Sequence, residues 1–152
     1  MANMTDQTFV NKLLNAFFLS SAAFTITPGT GGGSAFTITP PFHLRLMSTQ
    51  GSNSSNGTEQ ANGNGYTTGG SSLGTTFGGT VATGQFSNAN AVSWTATGTW
   101  SPSTQTAIEI WDTAGTAIRY LQGALTSNIT GVANGDTVTF AAGSITVNAS
   151  AW

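Results

Sequence analysis

Glu109 and Asp112 are the closest pair of carboxylates in the chain. Acid–base catalysis uses two such groups in one cleft with their pKa values pushed apart. The neighbouring residues point elsewhere. Glu109 lies in the alternating run Ala107-Ile108-Glu109-Ile110-Trp111, which reads as a strand, on the face of Trp111 and opposite Ile108 and Ile110. Asp112 opens Asp112-Thr113-Ala114-Gly115, with Asp first and Gly last, as a type I turn prefers. The returning strand Ile118-Arg119-Tyr120-Leu121 carries Arg119 across from Glu109. The hairpin therefore predicts a structural ion pair rather than a catalytic one.

Other chemistry is equally thin. A serine triad would need the single His43 as its base, and no Gly-x-Ser-x-Gly elbow accompanies it. One His and no Cys exclude two-His and Cys-based metal sites, thiolate nucleophiles and a disulfide framework. The glycines at 31–33 and 62–70 have no following Lys and no helix start, so they are not phosphate loops. Asn53, Asn56, Asn128 and Asn148 head glycosylation-type triplets of the kind a chain this rich in Asn, Ser and Thr contains by chance. No catalytic, cofactor-binding or metal-ligating residue is assigned, and no cofactor is expected. Sugar stacking is the remaining small-ligand chemistry. Trp94 and Trp111 lie within strands and read as core. Trp100 is the candidate glycan-binding surface aromatic, and the last residue, Trp152, is a candidate contact with a neighbour.

The elements that position these residues are mostly strands. Phe42-His43-Leu44-Arg45-Leu46-Met47 alternates from the start of a strand ending near Ser48. Further strands are predicted over 66–72, 75–77, 84–87, 91–96, 106–111, 117–122, 124–128, 137–140 and 144–148. Asn134-Gly135-Asp136 marks a sharp turn. Residues 49–65, rich in Gly, Ser, Asn and Gln, read as a long loop that needs a neighbour to order it.

Near the start, Thr5 or Asp6 can cap a helix, and Phe9, Val10, Leu13, Leu14, Phe17 and Phe18 form an apolar stripe over 6–19. This stripe must bury against its own domain or against a neighbouring subunit. Lys12 before a short apolar run and Ser20-Ser21-Ala22-Ala23 imitate a secretory signal, but Asp6 and Asn15 count against one. Ala-Phe-Thr-Ile-Thr-Pro then occurs twice, at 23–28 and 35–40, around the flexible stretch Gly29-Thr30-Gly31-Gly32-Gly33-Ser34. A single duplication is too short for a solenoid. Each copy alternates apolar and polar and reads as a short edge strand ended by its Pro. Phe9, Leu13, Phe17, Phe24, Phe36 and Trp152 are the candidate partner-interface residues.

Composition sets the frame. Charged residues are 5% of the 152, against about 25% in an ordinary globular protein. Three basic residues face five acidic ones, for a net charge of −2, which excludes a phosphate-tracking nucleic-acid binder and a polybasic membrane-surface protein. No apolar stretch approaches the ~20 residues needed to span a bilayer. Polarity comes from Thr, Ser, Asn, Gln and 20 Gly, while four Trp and nine Phe supply a core. So few charges leave little repulsion against self-association, as suits a chain that works inside an assembly. The expected architecture is mainly β, an antiparallel, jelly-roll-like β-sandwich over 42–152 behind an N-terminal amphipathic helix and extended arm over 1–41.

Gly57-Thr58-Glu59 with Asn64-Gly65-Tyr66 resembles the GTE and GGGYAR stretch of a family of small tailed-bacteriophage virion proteins. Ile108 to Gly115 is similar to its central hairpin, and Leu121-Gln122-Gly123-Ala124-Leu125-Thr126 to the strand after it. Gly135-Asp136-Thr137-Val138-Thr139-Phe140-Ala141-Ala142-Gly143-Ser144-Ile145-Thr146-Val147 is similar to its ending, and Asn11-Lys12-Leu13-Leu14-Asn15 to its start. This chain departs in the duplicated hexapeptide and in Thr67-Thr68 where the family has Ala-Arg. The resemblance implies a non-enzymatic virion structural protein, often labelled a tail fibre protein. One reading is a capsid decoration or cement protein docked on the major capsid protein or other virion subunits, as a homo-oligomer in the assembly. The other is a tail fibre or minor tail protein that adsorbs to host glycans. With no repeat to build a shaft, the chain better suits decoration.

Overall fold

The computed structural model describes residues 14–18, 23–27, 34–74, 85–113 and 117–148. Over these residues the protein is mainly β, and its strands pair antiparallel. The strands are β1 (Phe24–Ile26), β2 (Phe36–Ile38), β3 (Phe42–Thr49), β4 (Thr58–Glu59), β5 (Ser71–Gly74), β6 (Gln85–Ser87), β7 (Val92–Thr95), β8 (Thr104–Trp111), β9 (Arg119–Thr130), β10 (Thr137–Phe140) and β11 (Thr146–Asn148).

The main sheet runs β4-β3-β8-β9, and β5 also pairs with β3. β4 and β5 lie in tandem along β3, one opposite Met47 and Thr49, the other opposite Phe42 to Leu44. Alternation in β3 sorts the two faces. Phe42, Leu44 and Leu46 are fully buried on one side, with Ile110 opposite Leu44 and Ile108 opposite Leu46. Burial of each such side chain is worth about 1.5–3 kcal/mol. His43, Arg45 and Met47 point to the other side. The hairpin expected over 107–121 forms, with Ile110 opposite Leu121 and Trp111 opposite Arg119.

Two ribbons complete the strands, β7 with β10 and β6 with β11. They are successive stretches of the same two chain segments, with the pairing offset by one residue at the break. Asn88 fills that break. Its backbone N–H donates to Ile145 O, and its carbonyl accepts from Gly143 N. Its side-chain amide donates to Asn90 O and Ala141 O, and its Oδ1 accepts from Ile145 N. One side chain thus pairs the buried Ile145 N that the interrupted ladder would orphan and bridges both segments at the break.

The core gathers side chains from every part of the described chain. Tyr66, Trp94 and Trp100 form one aromatic group, with Tyr66 5.8 Å from Trp94 and 5.9 Å from Trp100. Phe18, Phe42, Phe86 and Tyr120 form another. Residues 14–18 are helical, and Leu14 and Phe18, one turn apart, are both buried. This part of the apolar stripe packs on the chain's own core. The rest of the predicted helix, with Phe9 and Leu13, lies outside the described residues, as do the strand expected at 75–77 and Trp152.

Three expectations need correction. The strand placed at 66–72 begins only at Ser71, because Gly69 and Gly70 take φ of 97° and 76° and break the extended chain. A Cβ at Gly70 would strike the Leu44 carbonyl, so a side chain there is excluded twice over. The strands expected at 117–122 and 124–128 are one continuous strand, β9, running through Gly123. Residues 49–65 are not a free loop awaiting a neighbour. They contain β4 and fold back on the main sheet.

Candidate functional site

Most of the chemistry-bearing side chains collect on the sheet face turned away from the apolar core. Register sets one pair directly opposite, and Glu59, opposite Met47, and Arg119, opposite Trp111, join it diagonally to form a row across the strands. Glu59 stands on β4 and Arg45 on β3, where Arg45 is the direct partner of Glu109 on β8; Arg119 begins β9. The charges alternate in sign along this row, the arrangement that cross-strand pairing favours.

Each carboxylate of the row accepts from three donors. Glu109 is fully buried. Its Oε1 accepts from Arg119 Nη1 at 2.9 Å and from Gly57 N at 2.9 Å, and its Oε2 accepts from Trp111 Nε1 at 3.0 Å. The ion pair expected across the hairpin is present. Arg119 also donates to the carbonyls of Ser52 and Ser55. The pair therefore ties the 51–57 turn to the sheet. Gly57 is needed at this closure, since a Cβ there would run into Thr49 O and the Glu109 carboxylate.

Glu59 binds the next turn. Its Oε1 accepts from Tyr66 Oη at 2.8 Å and from Gly69 N at 2.7 Å, and Arg45 Nη1 lies 3.4 Å from its Oε2. Tyr66 Oη in turn accepts from Leu46 N. Burial, helped by the Glu59 charge, pushes the Tyr66 hydroxyl far above the usual tyrosine range. The Arg45 guanidinium sits 4.2 Å over the Trp111 ring, and His43 Nδ1 lies 3.0 Å from Gly69 O. His43 is thus a strand residue holding the 69–70 turn.

The row amounts to a set of clamps. Its carboxylates accept hydrogen bonds from neighbouring backbone amides, the Tyr66 hydroxyl and the Trp111 indole, while Arg45 Nε is buried without a hydrogen-bond partner among the described residues. The Oε1 atoms of Glu59 and Glu109 hold the turn amides of Gly69 and Gly57, while their Oε2 atoms face Arg45 and the Trp111 indole. Asp112 accepts from Ile118 N at 2.9 Å and Tyr120 Oη at 2.8 Å, which ties the end of β8 to the start of β9; the type I turn expected over 112–115 lies partly outside the described residues. The Glu109–Asp112 pair is therefore divided between two structural tasks. Among the described residues no group of three or more His, Asp or Glu side chains could hold a metal ion.

Trp100 is not a surface aromatic. Its ring is 1% exposed and packs on Tyr66, and its Nε1 donates to Asn64 O at 2.9 Å. An indole N–H taken out of water needs such an acceptor, and the Asn64 turn provides it. The candidate glycan platform is thereby withdrawn. Trp94 and Trp111 are buried, as their strand positions implied. Of the candidate interface residues, Phe17 and Phe24 are half-buried and meet edge to face at 5.7 Å, while Phe36 remains 36% exposed beside Tyr120.

Sequence reasoning missed Asn88 and the buried amide pair Gln60–Gln105, which links the chain after β4 to the start of β8. No local signal marks them, because Asn and Gln are also common in exposed turns of this chain. Two shallow grooves flank β9. The larger, about 340 Å³, lies between Leu125–Ile129 and β10. Among the described residues no helix is long and apolar enough to cross a membrane. No protein-family model, curated protein or solved structure matches the chain.

Proposed function

We propose that this protein is a non-enzymatic structural subunit of a tailed-bacteriophage virion that decorates the head lattice by docking on the major capsid protein. The observation that carries this reading is the fate of the charges. Arg45, Glu59, Glu109 and Arg119 are committed to one another and to turns. Asp112 and Asp136 are committed to backbone N–H groups. What faces outward is largely hydroxyl. Thr25–Thr37, Ser93–Thr139 and Thr95–Thr137 pair across exposed strands. Such a surface attaches through apolar contact and strand pairing rather than ion pairs. The motif resemblance supplies the virion context.

The same reading takes the main sheet and the two ribbons as the layers of a β-sandwich. Core side chains from both, Leu44 and Ile110 on one side and Phe86, Val92 and Trp94 on the other, belong to one cluster, which supports it.

Copy number tests the function. Purified virions analysed by quantitative mass spectrometry should contain this chain in amounts comparable to the major capsid protein. A handful of copies per particle would overturn the decoration role and move the protein to the tail.

A further inference from the structure

The duplicated hexapeptide pairs with itself. β1 and β2, which carry the same Phe-Thr-Ile sequence, lie antiparallel with Phe24 opposite Ile38, Thr25 opposite Thr37 and Ile26 opposite Phe36. The register is centred on the Thr pair, whose hydroxyl oxygens are 2.9 Å apart. Exchanging the two strands reproduces the same set of side-chain pairs. Any copy of this segment is therefore a matching partner for any other, in the same register.

Three further observations bear on which copies pair. The β1–β2 sheet has only two strands, with no third strand along either edge among the described residues. A two-stranded ribbon this short is marginal by itself. Its outer end carries Ile26 and Phe36, 41% and 36% exposed and opposite each other, the two large hydrophobic side chains left most exposed among the described residues. The intervening sequence Gly29-Thr30-Gly31-Gly32-Gly33-Ser34 is of flexible composition and does not dictate which strand must meet which. Residues 14–18 and β1 precede that sequence and are joined by the Phe17–Phe24 contact, and the contacts of Phe18 with Phe42, Phe86 and Tyr120 can be made on a second copy as well as on its own.

We propose that the repeated hexapeptide is a self-association element, in which β1 of one copy pairs with a Phe-Thr-Ile strand of a second copy of this chain in the register seen between β1 and β2. The occupant is identified by sequence identity, because the strand that already fits β1 is a duplicate of β1. The proposal goes beyond the virion reading and does not depend on it, since the element would join copies of the free protein too.

The absence of cysteine gives a clean test. Directly opposed residues in an antiparallel pair lie about 4.5–5.5 Å apart at Cα, within disulfide range. Thr25→Cys and Thr37→Cys single variants are purified as full-length chains, mixed, unfolded in urea, refolded together and oxidised gently. Thr97→Cys, at an exposed site away from the hairpin, measures random collision. The proposal expects disulfide-linked dimers in the mixture well above the Thr97→Cys level. It also expects dimers of Thr25→Cys alone, because β1 can pair with β1. Linkage between copies no higher than the Thr97→Cys level overturns it, whether or not a Thr25→Cys/Thr37→Cys double variant closes within one chain. Circular dichroism of each variant before oxidation confirms that it has folded. Copy number on the virion is a separate readout, so failure of either idea leaves the other standing.

Discussion

Glu109 shows how a residue that looks chemical in the sequence becomes structural in the fold. Its carboxylate is fully buried and satisfies an Arg, an indole and a backbone amide at once. Removing its charge leaves Arg119 with its guanidinium paired only to carbonyls. Glu109→Gln should therefore cost about 3 kcal/mol in urea unfolding, because breaking one side of a buried ion pair strands the other. A Glu109→Gln/Arg119→Met double variant should lose less than the single one, which a double-mutant cycle would read directly. If Glu109→Gln unfolds like the native protein, the clamp contributes nothing. Asn88→Ala should cost about 2 kcal/mol, since it leaves the buried Ile145 N without its acceptor and removes the amide donor to Asn90 O and Ala141 O. Asn90→Ala, at an exposed position, is the comparison and should be near neutral. The tyrosines give a pH prediction with a definite sign. Burial raises the Tyr66 hydroxyl above its ordinary value near 10, and burial together with Asp112 raises Tyr120. A raised folded-state pKa favours the protonated form in the native state. This stability is intact below about pH 10 and falls as pH rises above the unfolded value, by about 1.4 kcal/mol per pH unit for the buried Tyr66. Tyr66 and Tyr120 are the only tyrosines, so absorbance of tyrosinate should appear together with unfolding rather than before it. A tyrosinate signal near pH 10 in folded protein would contradict the burial.

At the scale of elements, the turns do as much positioning as the strands. Gly57 lets the turn after β3 close against Thr49 O and the Glu109 carboxylate. Gly57→Ala should cost about 2 kcal/mol through forced displacement at this point. It should also expose the 51–57 segment to limited proteolysis, under conditions in which the native protein is expected to stay intact there. Legibility in the sequence follows the range of the interactions. β3, β8, β10 and the hairpin around Asp112 are legible because alternation and turn residues are local signals. The Glu109–Arg119 pair follows from that hairpin. The clamping of 49–65 is not legible, since its anchors lie more than fifty positions away for Gly57 and more than sixty for Ser52 and Ser55. A polar, glycine-rich stretch looks the same whether it is free or bound by such anchors. Trp100 misled for the same reason. It lies outside the predicted strands, and only the fold brings Tyr66 and Asn64 to it. The two hexapeptides are legible as strands from their alternation, whereas their pairing with each other depends on the chain folding back between them.

For the whole molecule, the distribution of charge decides how it can hold its partners. A net charge of −2 over 152 residues gives no long-range field to steer association. The described charges are held in short pairs and turn contacts, which salt screens least when buried. Raising sodium chloride from about 0.1 M to about 1 M shortens the Debye length from about 10 Å to about 3 Å. The thermal midpoint should not move measurably over that range, and neither should the amount of protein retained on virions after washing. Urea acts differently, because it solvates both apolar and peptide groups. Concentrations below the unfolding midpoint should therefore release the protein from particles that high salt leaves decorated. If salt strips it and urea does not, attachment runs through charges outside the described residues, such as Asp6 and Lys12, and the apolar, strand-paired mode of docking is wrong. The predicted order of the two washes follows from where the fold puts its few charges, since a partner can form an ion pair only with a charge that the fold has not already used.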